Sequence, residues 1–259
     1  MLVPQSLVRT LLSEGMVLVS VDQTLVDDAL GACLELITMF QDDPGKCSYT
    51  RAGEYEPEVG LVYRPVKNGS DHKYFFHYSH DLQFPVEATK QCGVLKKLYE
   101  MLGLLSLATG QQLDDEYSEL FSSPLAPNIL QCLLQSLPYS TTTLRGLWYP
   151  NTVDRNGAKA HIDRSFITAH LGDEGGNLWA ILNPDDEQGV PVSPPKGKAL
   201  LFFGVKALHV SGGRLKPLRH RSTVEQDGDR KALVQFTHLD VNVLVSDAKK
   251  AHDAFYERV

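Results

Sequence analysis

Three side chains in the second half of the chain have the types and spacing of a metal site: His161, Asp163 and His220. In an extended strand, residues i and i+2 project to the same side. His161 and Asp163 therefore bring an imidazole and a carboxylate toward one point. His220 lies far enough downstream to return on a neighbouring strand with a second imidazole. Two imidazoles and one carboxylate on one face of an octahedron leave three positions open. That donor set suits an iron(II) that takes a bidentate co-substrate and then dioxygen. An H-x-D pair alone is a common pattern, and Arg230 is what strengthens it. It opens a β-rich run ending Leu233-Val234-Gln235-Phe236, and its guanidinium fork can hold a carboxylate bidentately. Tyr149, at the end of the run from Arg145, could add a hydroxyl donor to the same carboxylate.

Nine histidines offer rival assignments. His209, eleven residues before His220, is the main alternative third ligand. His170 and His238 fall in β-rich runs and could face a substrate, although a structural role is the plainer reading. His72, His77 and His80 cluster with aromatic residues and read as pocket wall or packing on a loop. Arg164, directly after Asp163, could pair with an anionic substrate group or sit solvated at a rim. Arg51 and Arg64 are similar candidates. Phe75, Phe166 and Phe236 could line a pocket, with core packing as the alternative.

The elements that must position these residues change character along the chain. Residues 1–138 read as a mainly helical part packed on the rest. Residues 4–14 have helical spacing and meet Gly15, a stop signal; 16–20 are short and β-rich. Over 24–40, Leu25, Leu30, Cys33, Leu34, Ile37 and Phe40 share one helical face. A Pro/Gly-marked polar stretch, 41–69, predicts loop with short strands. A long helix is predicted over 85–111. Residues 139–259 form the second part, one compact domain with the first. Short β-rich runs at 141–149, 166–171, 178–182, 199–203, 218–224 and 232–236 predict an antiparallel sandwich or barrel. Residues 246–259 predict a C-terminal helix.

Composition narrows the function class. The chain has 259 residues, 42% apolar and 22% charged, enough for a sizeable core without disulfides. A net charge of -7 argues against nucleic acid as the main partner. The four cysteines have irregular spacing and read as reduced, buried thiols of a cytoplasmic protein. No apolar run is long enough to span a membrane, and the first residues lack signal-peptide features. A small-molecule substrate is the default.

From about residue 144 to 236 the sequence resembles the iron(II)/2-oxoglutarate oxygenase superfamily, in the branch containing plant flavonoid and gibberellin oxygenases and isopenicillin N synthase. The motifs that carry the resemblance are Leu144-Arg145-Gly146-Leu147-Trp148-Tyr149-Pro150, Ala160-His161-Ile162-Asp163, Phe166-Ile167-Thr168, Gly175-Gly176 and Gly212-Gly213-Arg214-Leu215-Lys216-Pro217-Leu218-Arg219-His220-Arg221. The resemblance implies an α+β chain with a double-stranded β-helix (jelly-roll) core, N-terminal helices packed on it and a C-terminal helix. It implies iron(II) on His161, Asp163 and His220, and 2-oxoglutarate with its distal carboxylate on Arg230 and Tyr149. It further implies oxidation of a C–H bond in a small metabolite, an amino acid or natural-product intermediate, with dioxygen consumed. Arg164, Phe75, Phe166, Phe236 and His238 are the substrate-side candidates. Two positions depart from the branch pattern: the serine of R-x-S is Ala232, and the asparagine before Y-Y-P is Leu147. These departures keep open an isopenicillin N synthase-like oxidase that uses no 2-oxoglutarate. A non-catalytic jelly-roll binding protein is the remaining alternative, against which the intact His161, Asp163, His220 and Arg230 stand.

Overall fold

A computed structural model describes residues 7–50, 58–64, 73–80, 82–121, 129–135, 142–150, 157–183, 188–225 and 228–239. Helix α1 (Leu7–Glu14) stops at Gly15, whose φ of 75° turns the chain into β1 (Met16–Ser20). Helix α2 (Gln23–Phe40) begins at Asp22, whose carboxylate accepts the Leu25 N–H at 3.2 Å and satisfies one open amide of the first turn. Strands β2 (Ser48–Thr50), β3 (Glu58–Arg64) and β4 (Lys73–Tyr78) follow. Helix α3 (Thr89–Phe121) extends past the predicted end, and α4 (Ile129–Gln135) packs against it. The polar end of α3 has a structural use: Asp114 accepts the Ile129 and Leu130 N–H groups at 2.9 and 2.8 Å, which caps α4.

The rest of the described chain is β5 (Thr142–Tyr149), β6 (His161–Ile162), β7 (Ile167–Glu174), β8 (Gly176–Ala180), β9 (Val190–Pro191), β10 (Lys198–Phe203), α5 (Val205–Val210), β11 (Arg219–Val224) and β12 (Arg230–Thr237). All pairings are antiparallel. One sheet runs β1-β10-β7-β12-β5-β4-β3-β2 and the other β6-β11-β8-β9. Strands β5 to β12 therefore divide into four on each sheet. This is a double-stranded β-helix, and the chain is α+β.

Alternation along the strands separates core from site. On β5, Leu144 joins the main core with Leu36, Leu98 and Leu233, between the larger sheet and the helices. Gly146 points the same way, and a Cβ there would lie 2.4 Å from the Cβ of Cys33, so only glycine lets α2 approach this closely. The intervening Leu147 and Tyr149 pack instead with Phe75, Ala232 and Val234 as a second apolar cluster. The inner ends of β5 and β12 thus open onto the cleft described below.

Segment 73–78, read from sequence as a loop, is β4, paired with β5 from Tyr74↔Trp148 to Tyr78↔Leu144. Both of its faces are covered, so its burial is nearly continuous and the alternation that signals a half-exposed strand is missing. The short helix α5 had no separate sequence signal. The C-terminal helix predicted over 246–259 lies outside the described residues. Cys33, Cys47 and Cys92 are buried free thiols; burial pushes Cys47 up to about 11 and Cys92 up to about 12. Among the described residues, no helix is long and apolar enough to cross a membrane.

Candidate active site

β6 and β11 lie side by side with His161 opposite His220 in register. Their rings are 4.4 Å apart between centroids. Asp163 follows β6 directly, with Oδ1 3.5 Å from His161 Nε2 and Oδ2 3.8 Å from His220 Nε2. One ligand atom from each of the three lies within 4.8 Å of the others, the one such group of metal-capable side chains among the described residues. Donors held about 2.1 Å from a shared ion and at right angles stand about 3 Å apart, so small adjustments close this set on a metal.

The surroundings orient each ligand. His161 Nδ1 lies 2.7 Å from the Lys159 carbonyl and His220 Nδ1 3.2 Å from the Leu218 carbonyl. Each carbonyl accepts the Nδ1 proton, which leaves both Nε2 lone pairs for the metal. Asp163 Oδ2 accepts the Thr168 hydroxyl at 2.7 Å, and Ser165 stands 2.8 Å from that hydroxyl. Burial lowers His220 to about 4 against the pull of Asp163, so its imidazole is neutral at ordinary pH. Burial opposes the charge of Asp163, but the two histidines and Thr168 outweigh it and hold the carboxyl well below its usual range.

A second charged group faces the same cleft. Arg230 begins β12 opposite Tyr149 on β5, with its guanidinium 5.0 Å over the Tyr149 ring. Asp173 on β7 takes one edge of that guanidinium, Nε to Oδ1 at 2.6 Å and Nη2 to Oδ2 at 2.7 Å. Both side chains are buried, at 2% and 0% exposure. His170 Nε2 lies 3.2 Å from the same carboxylate. Burial opposes both charges, yet the His170 hydrogen bond and the Arg230 charge lower Asp173, and Asp173 together with Tyr149 raises Arg230. Nη1 donates to Ser222 Oγ at 3.1 Å. The edge formed by Nη1 and Nη2, with the Tyr149 hydroxyl also bonded to the guanidinium, is a fork that matches a further carboxylate. Gly175 and Gly176 make the arrangement possible: a Cβ on Gly176 would lie 2.5 Å from Cδ of Arg230, and one on Gly175 2.0 Å from the Asp229 carbonyl.

The cleft is lined by His161, Asp163 and His220 at one end and by Tyr149, Arg230 and Ser222 at the other. Lys73, Arg145, His170 and Phe236 complete its polar and aromatic wall, and Leu178, Phe202 and Val234 its apolar part. The Arg145 guanidinium lies 4.6 Å from the Phe236 ring and 5.1 Å from that of Phe75, and it bonds His77. Phe75 thus backs the wall from behind Arg145. Arg164 is exposed and Phe166 packs in the main core beside Phe203; neither lines the cleft, nor does His238, which follows β12. His209 is exposed on α5, apart from the metal-capable group. His80 is exposed at a turn, while His72, Arg51 and the side chain of Arg64 lie outside what is described.

Asp173, Thr168, Ser222, Lys73 and Arg145 are site residues to which sequence reasoning gave no role. Thr168 and Arg145 sat within the motifs that carried the resemblance. Ser222 could have been suspected as a cleft residue from its spacing, two after His220 on the same strand face, whereas Asp173 carried no local signal. Lys73 had no signal, since its strand was read as loop.

Residues 131–239 match the family model described as the 2OG-Fe(II) oxygenase superfamily. Over that segment the chain is similar to the 2OG-Fe(II) oxygenase superfamily. Gibberellin 20 oxidase 2 of Oryza sativa subsp. indica is 30% identical over 100 residues, which cover 38% of this chain and 25% of that protein. The match thus spans about a quarter of the length of this relative. Among solved structures, a full-length Neurospora crassa protein in complex with alpha-KG superposes with a TM-score of 0.70 at 12% identity, covering 91% of this chain and 79% of that one. A provisionally assigned oxygenase from Shewanella oneidensis gives 0.69 at 19% identity, covering 98% of this chain and 93% of that one. These likenesses establish the fold. Within the superfamily frame, the donor set and the open guanidinium fork of this chain fit iron(II) and 2-oxoglutarate.

Proposed function

We propose that the chain is an iron(II)- and 2-oxoglutarate-dependent dioxygenase that oxidises a C–H bond of a small metabolite. The observation that carries this reading is one cleft with the His161/Asp163/His220 group at one end and the Arg230 fork beside Tyr149 at the other. Iron(II), when bound, would activate dioxygen as the oxidant, with oxidative decarboxylation of 2-oxoglutarate to succinate and carbon dioxide supplying two electrons and the substrate C–H bond the other two. The chain supplies position and surroundings. His161 and His220, each fixed through Nδ1, present Nε2 to the metal, and Thr168 holds the Asp163 carboxylate in place. Arg230 and Tyr149 hold the distal carboxylate of 2-oxoglutarate. Leu178, Phe202 and Val234 keep the intervening space apolar, which strengthens the charged contacts at both ends.

The substrate meets a wall containing Arg145 between two phenylalanine rings, with Lys73 nearby. This suits a metabolite carrying a carboxylate, such as an amino acid. A second reading, an oxidase whose substrate ligates the iron and which needs no 2-oxoglutarate, is favoured by one observation: Asp173 already occupies an edge of Arg230. Turnover of a candidate-substrate panel with succinate detection separates the two. Succinate formed in proportion to substrate oxidised supports the dioxygenase. Substrate oxidation that proceeds equally without 2-oxoglutarate overturns it.

A further inference from the structure

Ser222 sits on β11 two residues after His220, so both side chains project to the same side of the strand. It is buried, 7% exposed, and lines the cleft. Its Oγ accepts two hydrogen bonds, from the Ala158 N–H at 2.8 Å and from Arg230 Nη1 at 3.1 Å. A hydroxyl has two acceptor lone pairs and one hydrogen. Both lone pairs of Ser222 are in use, and among the described residues no group accepts its hydrogen. A buried donor in that state is costly unless a ligand oxygen takes it.

The position of this hydroxyl is fixed from behind. Ser222 N–H donates to the Ala158 carbonyl at 3.0 Å, so the segment at 157–158 runs closely along β11. A Cβ on Gly157 would stand 2.3 Å from the Ser222 carbonyl oxygen and 2.7 Å from its Oγ. Only glycine there permits the approach that brings the Ala158 amide onto Oγ. Across the cleft, position 232 holds an alanine in an apolar cluster with Tyr149, two residues after Arg230 on the same face of β12. The resemblance places a serine at that position, so this chain lacks a hydroxyl on β12 and has one on β11, bonded to the same guanidinium.

We propose that Ser222 is a further co-substrate-holding residue, whose hydroxyl donates to the distal carboxylate of 2-oxoglutarate in place of the serine absent at position 232. Asp173 is its positioning partner: by holding Nε and Nη2 of Arg230, it fixes Nη1 against Ser222 Oγ. The proposal rests on the 2-oxoglutarate reading above, and the test separates the two.

The experiment titrates 2-oxoglutarate into protein loaded with Mn(II) under anaerobic conditions, read by calorimetry, for wild type, Arg230→Gln, Ser222→Ala and Ser222→Ala/Ala232→Ser. Metal affinity is measured for each. Ser222→Ala is expected to weaken 2-oxoglutarate binding on the order of tenfold or more, the size of a lost bond to a charged group, with metal affinity unchanged. Pyruvate, which lacks the distal carboxylate, should bind wild type and Ser222→Ala alike. The double variant should recover most of the lost affinity, because a hydroxyl at 232 reaches the same carboxylate while the bond to Ala158 stays broken. That rescue is what a merely structural Ser222 would not give. Unchanged 2-oxoglutarate affinity in Ser222→Ala alongside a large loss in Arg230→Gln overturns the role of Ser222 and leaves the dioxygenase reading standing. So does a pyruvate penalty as large as that for 2-oxoglutarate. Failure of the metal-loaded wild type to bind 2-oxoglutarate at all overturns the dioxygenase reading itself. Should Ser222→Ala not fold, Ala232→Ser/Ser222→Cys, which replaces the hydroxyl by a weak thiol donor, carries the same comparison.

Discussion

The two ends of the cleft handle buried charge in opposite ways. At the metal end, His161, Asp163 and His220 converge, with the Asp163 oxygens 3.5 and 3.8 Å from the two Nε2 atoms and the outer faces tied to carbonyls and to Thr168. The groups are oriented by their neighbours, and what they are oriented toward is a point between them. At the guanidinium end, Arg230 is matched by an internal carboxylate, Asp173, so the charge is balanced within the protein itself. The difference shows how one barrel can hold a site that depends on an ion beside one that is preorganised without its ligand. A buried arginine left alone would carry a penalty of several kcal/mol; paired with Asp173 it keeps a fork free for a second carboxylate at little cost.

Removing a metal ligand should have the largest effect. His161→Ala, Asp163→Ala and His220→Ala are each expected to lose iron and turnover to background while keeping the β-rich fold, as checked by metal stoichiometry and circular dichroism. His209→Ala should keep its iron; loss there with retention in His220→Ala would move the third ligand and undo the comparison.

Arg230→Gln tests the other end. It should raise the KM for 2-oxoglutarate by about a hundredfold or more, since breaking a buried charged pair costs about 3–5 kcal/mol, with iron affinity nearly unchanged. An unchanged KM would assign the co-substrate elsewhere.

Thr168→Val probes whether orientation at the metal end matters as much as ligation. Loss of the hydroxyl that holds Asp163 should weaken iron about ten- to a hundredfold, with 2-oxoglutarate affinity measured at saturating metal left close to wild type. Equal weakening of both would mean that the ends are not separable.

The smallest effect is on acid stability. Asp173 has its carboxyl lowered in the folded state, so its contribution is present above the ordinary aspartate value of about 4 and is lost as pH falls through the lower folded value. Asp173→Asn should therefore be less stable than wild type at neutral pH, and the gap should narrow below about pH 4. Thermal melts across pH measure this, and a gap that stays constant would mean that the carboxylate does not stabilise the fold through its charge.

Much of this was legible in the residues themselves. Spacing and motif led to the expectation that His161, Asp163, His220, Arg230 and Tyr149 share a site, and the structure brings the five to one cleft, because a strand fixes which residues share a face. Apolar periodicity also marked the helix predicted over 24–40 and the one predicted over 85–111, which the structure extends to Phe121, while β-rich runs broken by turn residues marked most strands of the second half. Other features depended on contacts between distant segments. Strand β4 was hidden because both its faces are covered, and no alternation survives in the sequence to mark it. The pairing of Arg230 with Asp173 crosses from β12 to β7, where a register shift between Leu233 and Val234 sets how the strands align. Nothing local at either residue announces it. The same holds for Ser222, whose hydroxyl meets Arg230 only because the two sheets face each other across the barrel. Sequence determined the kinds of group available and the faces they share along each strand. Tertiary structure decided which charge neutralises which, because a buried charge is matched by whatever the fold brings within about 3 Å of it, whatever its place in the chain.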